Sequence, residues 1–530
     1  MKKVFLKVIA LVCCFITLLS IGFGCKKKGE SVKESVKESE KESVEPLIIP
    51  DGYTQLTIGS SNGVKTEGYG AQIDTHIYKA YNNMSEDELN EAYRRIKEMN
   101  LQAIRTQVFP EWFERGNDNN DYNSFNYDSP NVDMNSIEME QLYRLLDFCE
   151  ENGIWVDLSV YGCCATFESQ DYDENGTPKV QGTWLGVPFT RSWITSPKLV
   201  DEYGDPFPGL EEFAENVYAL LNHILNVKKY TCVTEFSIFP EPNLSYFTAE
   251  QRVSHSEFVQ LAKLVDKKLR DEGIRDKILF SGPAVALQSA IGFNIYINDL
   301  DEVFDKYTIS SYTYDDKDGN ETLLDYGWAI NDMVSVTGKK WAIAEFGSKN
   351  VIDSANQTDI DTYDRALFLA RYMISLANQG CSSMKYWEIF DMMYGSFMMN
   401  LGLWKFRNND WVARPQYYTW SLITKYTEIG SEIYPITTDV KQDGDVVAVG
   451  YKLPDGKWTY MICNIGSKNK KISFVNTNPD APKKMNLYEV RASKCSGECT
   501  PIASSGVLNR ENGAINLKVL ANSFVVLSEK

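Results

Sequence analysis

The feature that most constrains this chain is an alternation. Between about residue 68 and residue 390, eight strand-like runs alternate with helix-like runs. The strand candidates are "GYGAQIDTH", "LQAIRTQVF", "IWVDLSVYG", "FSIFPEPN", "KILFSGP", "YTISSYTY", "KKWAIAEFG" and "SSMKYWEIF". Between them, "SEDELNEAYRRIKEMN" opens with a capping box, Ser85 and Glu88, and sets Leu89, Ala92, Ile96 and Met99 on one stripe. "SIEMEQLYRLLDFCEENG" stops at Asn152-Gly153, and "SHSEFVQLAKLVDKKLRDEG" repeats the capping box with Ser254 and Glu257. Parallel strands need long crossovers, usually helices, so this pattern predicts an α/β fold with a parallel sheet. Eight such units in roughly 350 residues fit a (β/α)8 TIM barrel with enlarged loops; a doubly wound sheet is the alternative.

Parity within each strand predicts which side chains face the barrel axis, because successive residues point to opposite faces. In "IWVDLSVY", Ile154, Val156, Leu158 and Val160 form an apolar face for the helices, leaving Trp155, Asp157, Ser159 and Tyr161 inside. In "TEFSIFPE", Phe236 and Ile238 face out while Glu235, Ser237, Phe239 and Glu241 face in. The same rule puts Glu345 on one face with Trp341 and Ile343, opposite the small Ala342 and Ala344. It also turns inward Gln72, Asp74 and His76, Arg105 and Gln107, Tyr312 and Tyr314, and Lys385 and Trp387.

Glu241 and Glu345 thus end the fourth and seventh strands at the rim where barrel enzymes keep their chemistry. Two carboxylates there point to glycoside hydrolysis. A glycosidic oxygen is a poor leaving group, so one carboxylic acid protonates it while a second carboxylate attacks or stabilises the anomeric carbon. Their pKa values must differ, and an inward Arg105 is expected to hold the nucleophile ionised. Trp387 would form an apolar platform under the sugar.

These residues, in this order, resemble the clan A glycoside hydrolases, the (β/α)8 enzymes that include families 5, 30 and 39. The resemblance spans roughly residues 66 to 425. It rests on "PEPN" with Glu241, "AEFG" with Glu345, Arg105 in "IRT", Trp387 in "KYWEIF" and "RPQYYTW" at 414 to 420. It implies Glu241 as acid/base and Glu345 as nucleophile of a retaining double displacement on β-linked glycans. Arg105 and Trp387 match the clan's strand-two arginine and strand-eight tryptophan; Asp74, His76, Tyr312 and Tyr314, inward by parity, are the other expected substrate-binding residues, with a hydrogen-bonded structural histidine the alternative for His76. Two positions depart from the clan's pattern. Pro240 stands where the clan has Asn, and Tyr312-Thr313-Tyr314 stands in place of His-x-Tyr.

After residue 430 the texture becomes all-β: "DVVAVGYKL", "WTYMICNI", "KISFV", "MNLYEV", "INLKV" and "NSFVVLS" are short strands parted by turn residues. A small β-sandwich over residues 429 to 530 is expected, and it resembles the one appended to family 30 and 39 barrels. The barrel is assigned 51 to 428. At the other end, Lys2, Lys3 and Lys7 precede the apolar run "VIALVCCFITLLSIGFG" and Cys25, which reads as a lipoprotein-type signal over residues 1 to 25; an uncleaved anchor is the other reading. Residues 26 to 50, with "SVKESVKESEKESVE", are too polar to bury anything and read as a flexible tether.

The expected protein is therefore exported, lipid-anchored through Cys25, and folded outside the cytoplasm. A net charge of −19 argues against nucleic acid, whose phosphates it would repel. Only three histidines occur, which argues against multi-histidine metal sites; no cofactor and no metal are expected. "DYDENG" at 171 to 176 begins like a calcium loop but has Gly182 where the loop's last ligand belongs. Cys495 and Cys499 are the expected disulfide. The expected partner is an oligo- or polysaccharide, bound by a monomer that meets the membrane only through its lipid. Trp112, Trp184, Trp404 and Trp411 are candidate sugar subsites, and the Asn/Asp-rich "NDNNDYNSFNYD" at 117 to 128 is a candidate cleft loop. Pro240 motivates a second reading, a carbohydrate-binding lipoprotein on an inactive barrel. A cysteine hydrolase using Cys163 or Cys164 is a third.

Overall fold

The computed structural model describes residues 46–75, 82–114, 118–119, 121–160, 209–238, 240–243, 254–286, 290–312, 323–347, 360–394, 397–437 and 444–530. The expected signal, Cys25, most of the tether, and Cys163-Cys164 with "DYDENG" lie outside the described residues. Among the described residues no helix is long and apolar enough to cross a membrane.

The first strand, β1 (Thr54–Ile58), is followed by the eight strand candidates in order: β2 (Gly68–Gln72), β3 (Ala103–Val108), β4 (Trp155–Val160), β5 (Val233–Ile238), β6 (Leu279–Ala286), β7 (Lys306–Ser311), β8 (Lys340–Phe346) and β9 (Cys381–Tyr386). These eight are parallel and closed: β9 pairs back onto β2, with Gly70 opposite Lys385. Closure excludes the doubly wound alternative and makes the fold a TIM barrel. The hairpin β10 (Met392–Tyr394) and β11 (Phe397–Met399) follows β9.

The crossovers are α1 (Glu86–Met99), α2 (Ile137–Asn152), α3 (Gly209–Asn222), α4 (His255–Asp271), α5 (Ala290–Leu300), α6 (Leu323–Ser335), α7 (Tyr363–Asn378) and α8 (Pro415–Tyr426). Both capping boxes form as the sequence predicts. Ser85 and Ser254 accept from the amides of Glu88 and Glu257, whose carboxylates reach back to the cap amides. Gly153 ends α2 at φ 65°, a left-handed conformation that glycine adopts without a Cβ penalty. Leu89, Ala92, Ile96 and Met99 of α1 are buried against the barrel, each large one worth about 1.5–3 kcal/mol.

The all-β part is larger than the sequence suggests. Strands β12 (Glu432–Thr437), β13 (Val446–Lys452), β14 (Trp458–Asn464), β15 (Lys470–Asn476), β16 (Lys484–Val490), β17 (Gly506–Glu511), β18 (Ala514–Val519) and β19 (Ser523–Ser528) join β1 in a ring of nine. The expected sandwich is thus two sheets linked at both edges, through the short β1–β12 and β17–β18 pairings. The barrel boundary at 51 is corrected as well. β1 runs parallel to β15, Leu56 opposite Phe474, so the chain starts in the β domain and enters the barrel only at β2. The two parts share buried contacts: the Tyr69 and Tyr451 hydroxyls lie 2.9 Å apart, and Asn378 of α7 donates to the Ala448 carbonyl at 2.9 Å.

Candidate active site

Register aligns the barrel's interior charges. Gln72, Arg105, Asp157 and Glu235 lie side by side across β2 to β5, all buried. Parity holds there: Phe236 faces outward and stacks on Phe280 with ring centroids 4.3 Å apart. Lys385 of β9 donates to Asp157 at 2.9 Å and lies 3.8 Å from Glu235. Lys306 of β7 pairs with Glu235 and sits 3.3 Å from Glu67, which also meets Lys340 at 3.1 Å. A buried carboxylate needs such partners, because desolvation otherwise neutralises it. Burial raises the Asp157 pKa, but Lys385 and then Arg105 overcome it and hold the carboxyl below its ordinary value. Lys385 therefore belongs to this lower network, with Asp157 and Glu235.

Glu345 stands above it, near the C-terminal end of β8 and almost fully buried. Arg105 Nη1 donates to its Oε2 at 2.8 Å, and the Tyr312 hydroxyl donates to its Oε1. The guanidinium is itself held from the side: it donates to Gln72 and reaches Ser159 Oγ at 3.4 Å. Burial pushes the Glu345 carboxyl above its ordinary pKa, and Arg105 and Tyr312 pull against that push without fully cancelling it. The expected low pKa of this group is thus corrected in direction: the arginine limits a rise instead of imposing a fall.

The route by which Glu345 points inward also differs from simple alternation. Trp341 Nε1 bonds Asn331 of α6 at 3.3 Å, and Phe346 stacks on Tyr372 of α7 at 5.5 Å. Both side chains face the helices, although they are five positions apart in the sequence. A bulge reconciles them: Ile309 pairs with Ile343, the next residue Ser310 pairs with Glu345, and Ala344 is skipped. Trp341 does not share a face with Glu345. Directly after Glu345 and Phe346, Gly347 is required by crowding: a Cβ there would lie 2.6 Å from the Trp387 carbonyl and 3.0 Å from the Tyr312 ring.

Glu241 sits three residues beyond β5, buried to 6% exposure. Its backbone is left-handed, φ 53°, and its N–H donates to the carbonyl of Ala284, which is itself left-handed at φ 51°. Two residues on, the Asn243 side chain bonds the Ala286 backbone twice, donating at 2.8 Å and accepting at 2.9 Å. The segment 240 to 243 is therefore tied to β6 at two points, which sets where the carboxyl projects. Asn243 was not foreseen as a positioning residue; an Asx side chain just past a strand end is the signal that could have marked it.

The remaining expected residues divide. Asp74 is fully buried, accepting from Gln72 Nε2 at 2.9 Å and from the Gln107 amide at 3.0 Å, so it braces the strand ends beneath the rim. Trp387 follows β9, 5% exposed, with its indole N–H on Met399 Sδ at 2.9 Å. His76, Tyr314 and Trp184 lie outside the described residues. Trp112 and Trp404 are buried packing residues and not surface sugar platforms; Trp404 stacks on Phe390 at 5.8 Å. Cys495 and Cys499 are free thiols, which corrects the expected disulfide.

A scan of protein-family models and a search of curated proteins find no match to the sequence. Solved structures do match in fold. A family 30 subfamily 8 xylanase from Clostridium acetobutylicum superposes with a TM-score of 0.58 at 14% identity, over 89% of this chain and 99% of that one. An endo-β-1,6-glucanase, BT3312, gives 0.60 at 12% identity over 91% and 94%. A family 39 glycoside hydrolase from Bacteroides cellulosilyticus gives 0.52 at 15% identity over 88% and 81%. The fold of a parallel eight-stranded barrel followed by an all-β domain is thus shared with family 30 and 39 structures.

Proposed function

We propose that this chain is an exported glycoside hydrolase, lipid-anchored at Cys25, that cleaves β-linked glycans with retention of configuration. The observation that carries the reading is Glu345, a buried carboxylate at a barrel strand end, gripped by Arg105 and Tyr312, on the same rim as Glu241. A charge-assisted grip on a carboxylate at a barrel strand end is what a positioned nucleophile needs.

In this reading Glu345 attacks the anomeric carbon, while Glu241 protonates the glycosidic oxygen as it departs. Arg105 and Tyr312 hold the Glu345 oxygens by charge-assisted hydrogen bonds, fixing the attacking lone pair. The glycosyl-enzyme ester then meets a water that Glu241 deprotonates, and Glu345 leaves as carboxylate. Trp387 supports the sugar ring. The structural neighbours named as a xylanase and a β-1,6-glucanase put xylan and β-1,6-glucan at the head of a substrate panel.

The test is turnover of that panel by the wild-type chain and by Glu345→Gln, with proton NMR following the first anomer released. Cleavage to the β-anomer by the wild type, and its loss in a folded Glu345→Gln protein, are expected. Full activity in the variant would sink the assignment, and an inverted anomer would replace double displacement by direct attack of water. Pro240 favours a second reading, glycan binding on an inactive barrel, because proline offers no side-chain donor beside Glu241. Saturable glycan binding without cleavage by the wild type would select it.

A further inference from the structure

A second group of carboxylates lies behind the loop after β3, and the proposed hydrolysis makes no use of it. Glu114, Asp118 and Glu212 each bring a carboxylate oxygen within 4.8 Å of the others, and all three are buried. Glu114 and Asp118 belong to the loop after β3, and Asp118 falls within the Asn/Asp-rich stretch at 117 to 128. Glu212 comes from the first turn of α3, a segment about a hundred residues further along the chain. From the same helix, Asn216 donates Nδ2 to Glu114 Oε2 at 2.6 Å, and Glu215 stands beside it at 1% exposure.

The hydrogen bonding of this group is incomplete. Both carboxylate oxygens of Glu212, both of Glu215, Oδ1 of Asp118 and Oδ1 of Asn216 have no partner. Asn216 is fully buried and its amide is anchored on Glu114, so its free oxygen lies at the cluster itself. Buried polar atoms left unpartnered are destabilising, and more so when charged. Among the described residues, Lys268 acts on Glu215 but spends its ammonium elsewhere, donating to Glu272 at 2.7 Å and to the Asn123 carbonyl at 2.6 Å.

We propose that Glu114, Asp118, Glu212 and the Asn216 amide oxygen form a site for a hard divalent cation, Ca2+, which pins the loop after β3 to the start of α3. The donors are all oxygen, which suits calcium rather than zinc or copper. Three carboxylates against two positive charges leave a small residual charge, to which Glu215 and Lys268 sit adjacent. The inference is independent of the hydrolase reading, and it departs from the sequence-based expectation of no metal. Residues 114, 118, 212 and 216 form no contiguous ligand motif.

The test uses the full chain stripped with a chelator and dialysed, titrated with CaCl2 by calorimetry and followed by thermal unfolding, with MgCl2 as comparison. A single bound calcium and a Tm that climbs with the logarithm of calcium concentration are expected. Glu212→Gln should lose at least tenfold in calcium affinity, yet match or exceed the stripped wild type in Tm, because it removes a buried repelling charge. Absence of calcium heat and of any Tm shift in the wild type overturns the proposal, as does unchanged affinity in Glu212→Gln. Should that variant not fold, Asp118→Asn supplies the same comparison of affinities.

Discussion

The Arg105 guanidinium donates to the Glu345 carboxylate across the barrel mouth, Nη1 to Oε2 at 2.8 Å, from β3 to β8. Both side chains are almost fully removed from solvent, so neither can exchange the other for water. Removing one member of such a pair costs about 3–5 kcal/mol, since an uncompensated charge stays buried. Arg105→Gln is therefore expected to lower stability by that order. It should also remove the main force opposing the upward push of burial on Glu345. The acid limb of the pH–rate profile, where activity falls as Glu345 takes up a proton, should move to higher pH in the variant. Chemical denaturation and a pH profile of kcat/KM check both, and an unmoved acid limb would dissociate Arg105 from the ionisation of Glu345.

Glu241 is expected to act as the proton donor, and that role has a signature that packing alone does not produce. Glu241→Ala should lose about 10²- to 10⁴-fold on unactivated glycosides but far less on an aryl glycoside whose leaving group needs no proton. With the covalent intermediate then accumulating, added azide should restore turnover and yield a β-glycosyl azide. Equal losses on both substrates, with no azide product, would remove the acid/base assignment while leaving Glu345 untouched.

What could be read from the sequence, and what could not, follows from how local each signal is. The capping boxes at Ser85 and Ser254 and the stop at Gly153 depend on neighbours within one helical turn, so they were legible. The inward set on β4 and β5 was legible because those strands alternate regularly near the site. β8 does not: the bulge at Ala344 answers to its pairing with β7, which no reading of "WAIAEFG" contains. Glu345 was placed inward by a parity that the strand does not keep. β17 was missed because its side chains are mostly exposed and carry no apolar pattern, and β12 because it holds Pro435. β1 could not be assigned to the β domain without its partner β15, which lies some four hundred residues away. The carboxylate group around Glu114 is of the same kind, assembled from a loop and a distant helix.

Acid should weaken this protein partly through Glu67. Burial alone would raise its pKa, but Lys306 and Lys340 outweigh burial and bring it from 4.5 down to about 2. A group whose folded pKa is depressed stabilises the fold above its unfolded pKa, and that stability is lost as pH falls toward the folded value. Here the window runs from about 4.5 to about 2, and the contribution at neutral pH is about 3 kcal/mol. Glu67→Gln should cost stability at pH 7 and converge on the wild type near pH 2. Buried acids elsewhere titrate alike in both chains and cancel in the difference. Parallel stability curves across that window would show that Glu67 contributes by packing and not by charge.

Glu241 stands at φ 53°, a conformation that costs a residue with a Cβ about 1–2 kcal/mol. Its N–H is nevertheless committed to the Ala284 carbonyl, and Asn243 clamps the chain two residues later, so the segment cannot relax without breaking ties to β6. Strain held at a reacting residue is a common trade of stability for function. It predicts a reversal of the usual order of substitutions. At an ordinary site glycine is less stable than alanine by about 0.5–1 kcal/mol, because the unfolded chain gains freedom. Here Glu241→Gly should equal or exceed Glu241→Ala in stability, since glycine enters the left-handed region without a Cβ penalty. Both variants lose the carboxyl, so their comparison isolates the backbone term. Denaturant midpoints of the two proteins measure it directly, and an alanine variant more stable by the ordinary margin would mean that the turn relaxes once the carboxyl is gone.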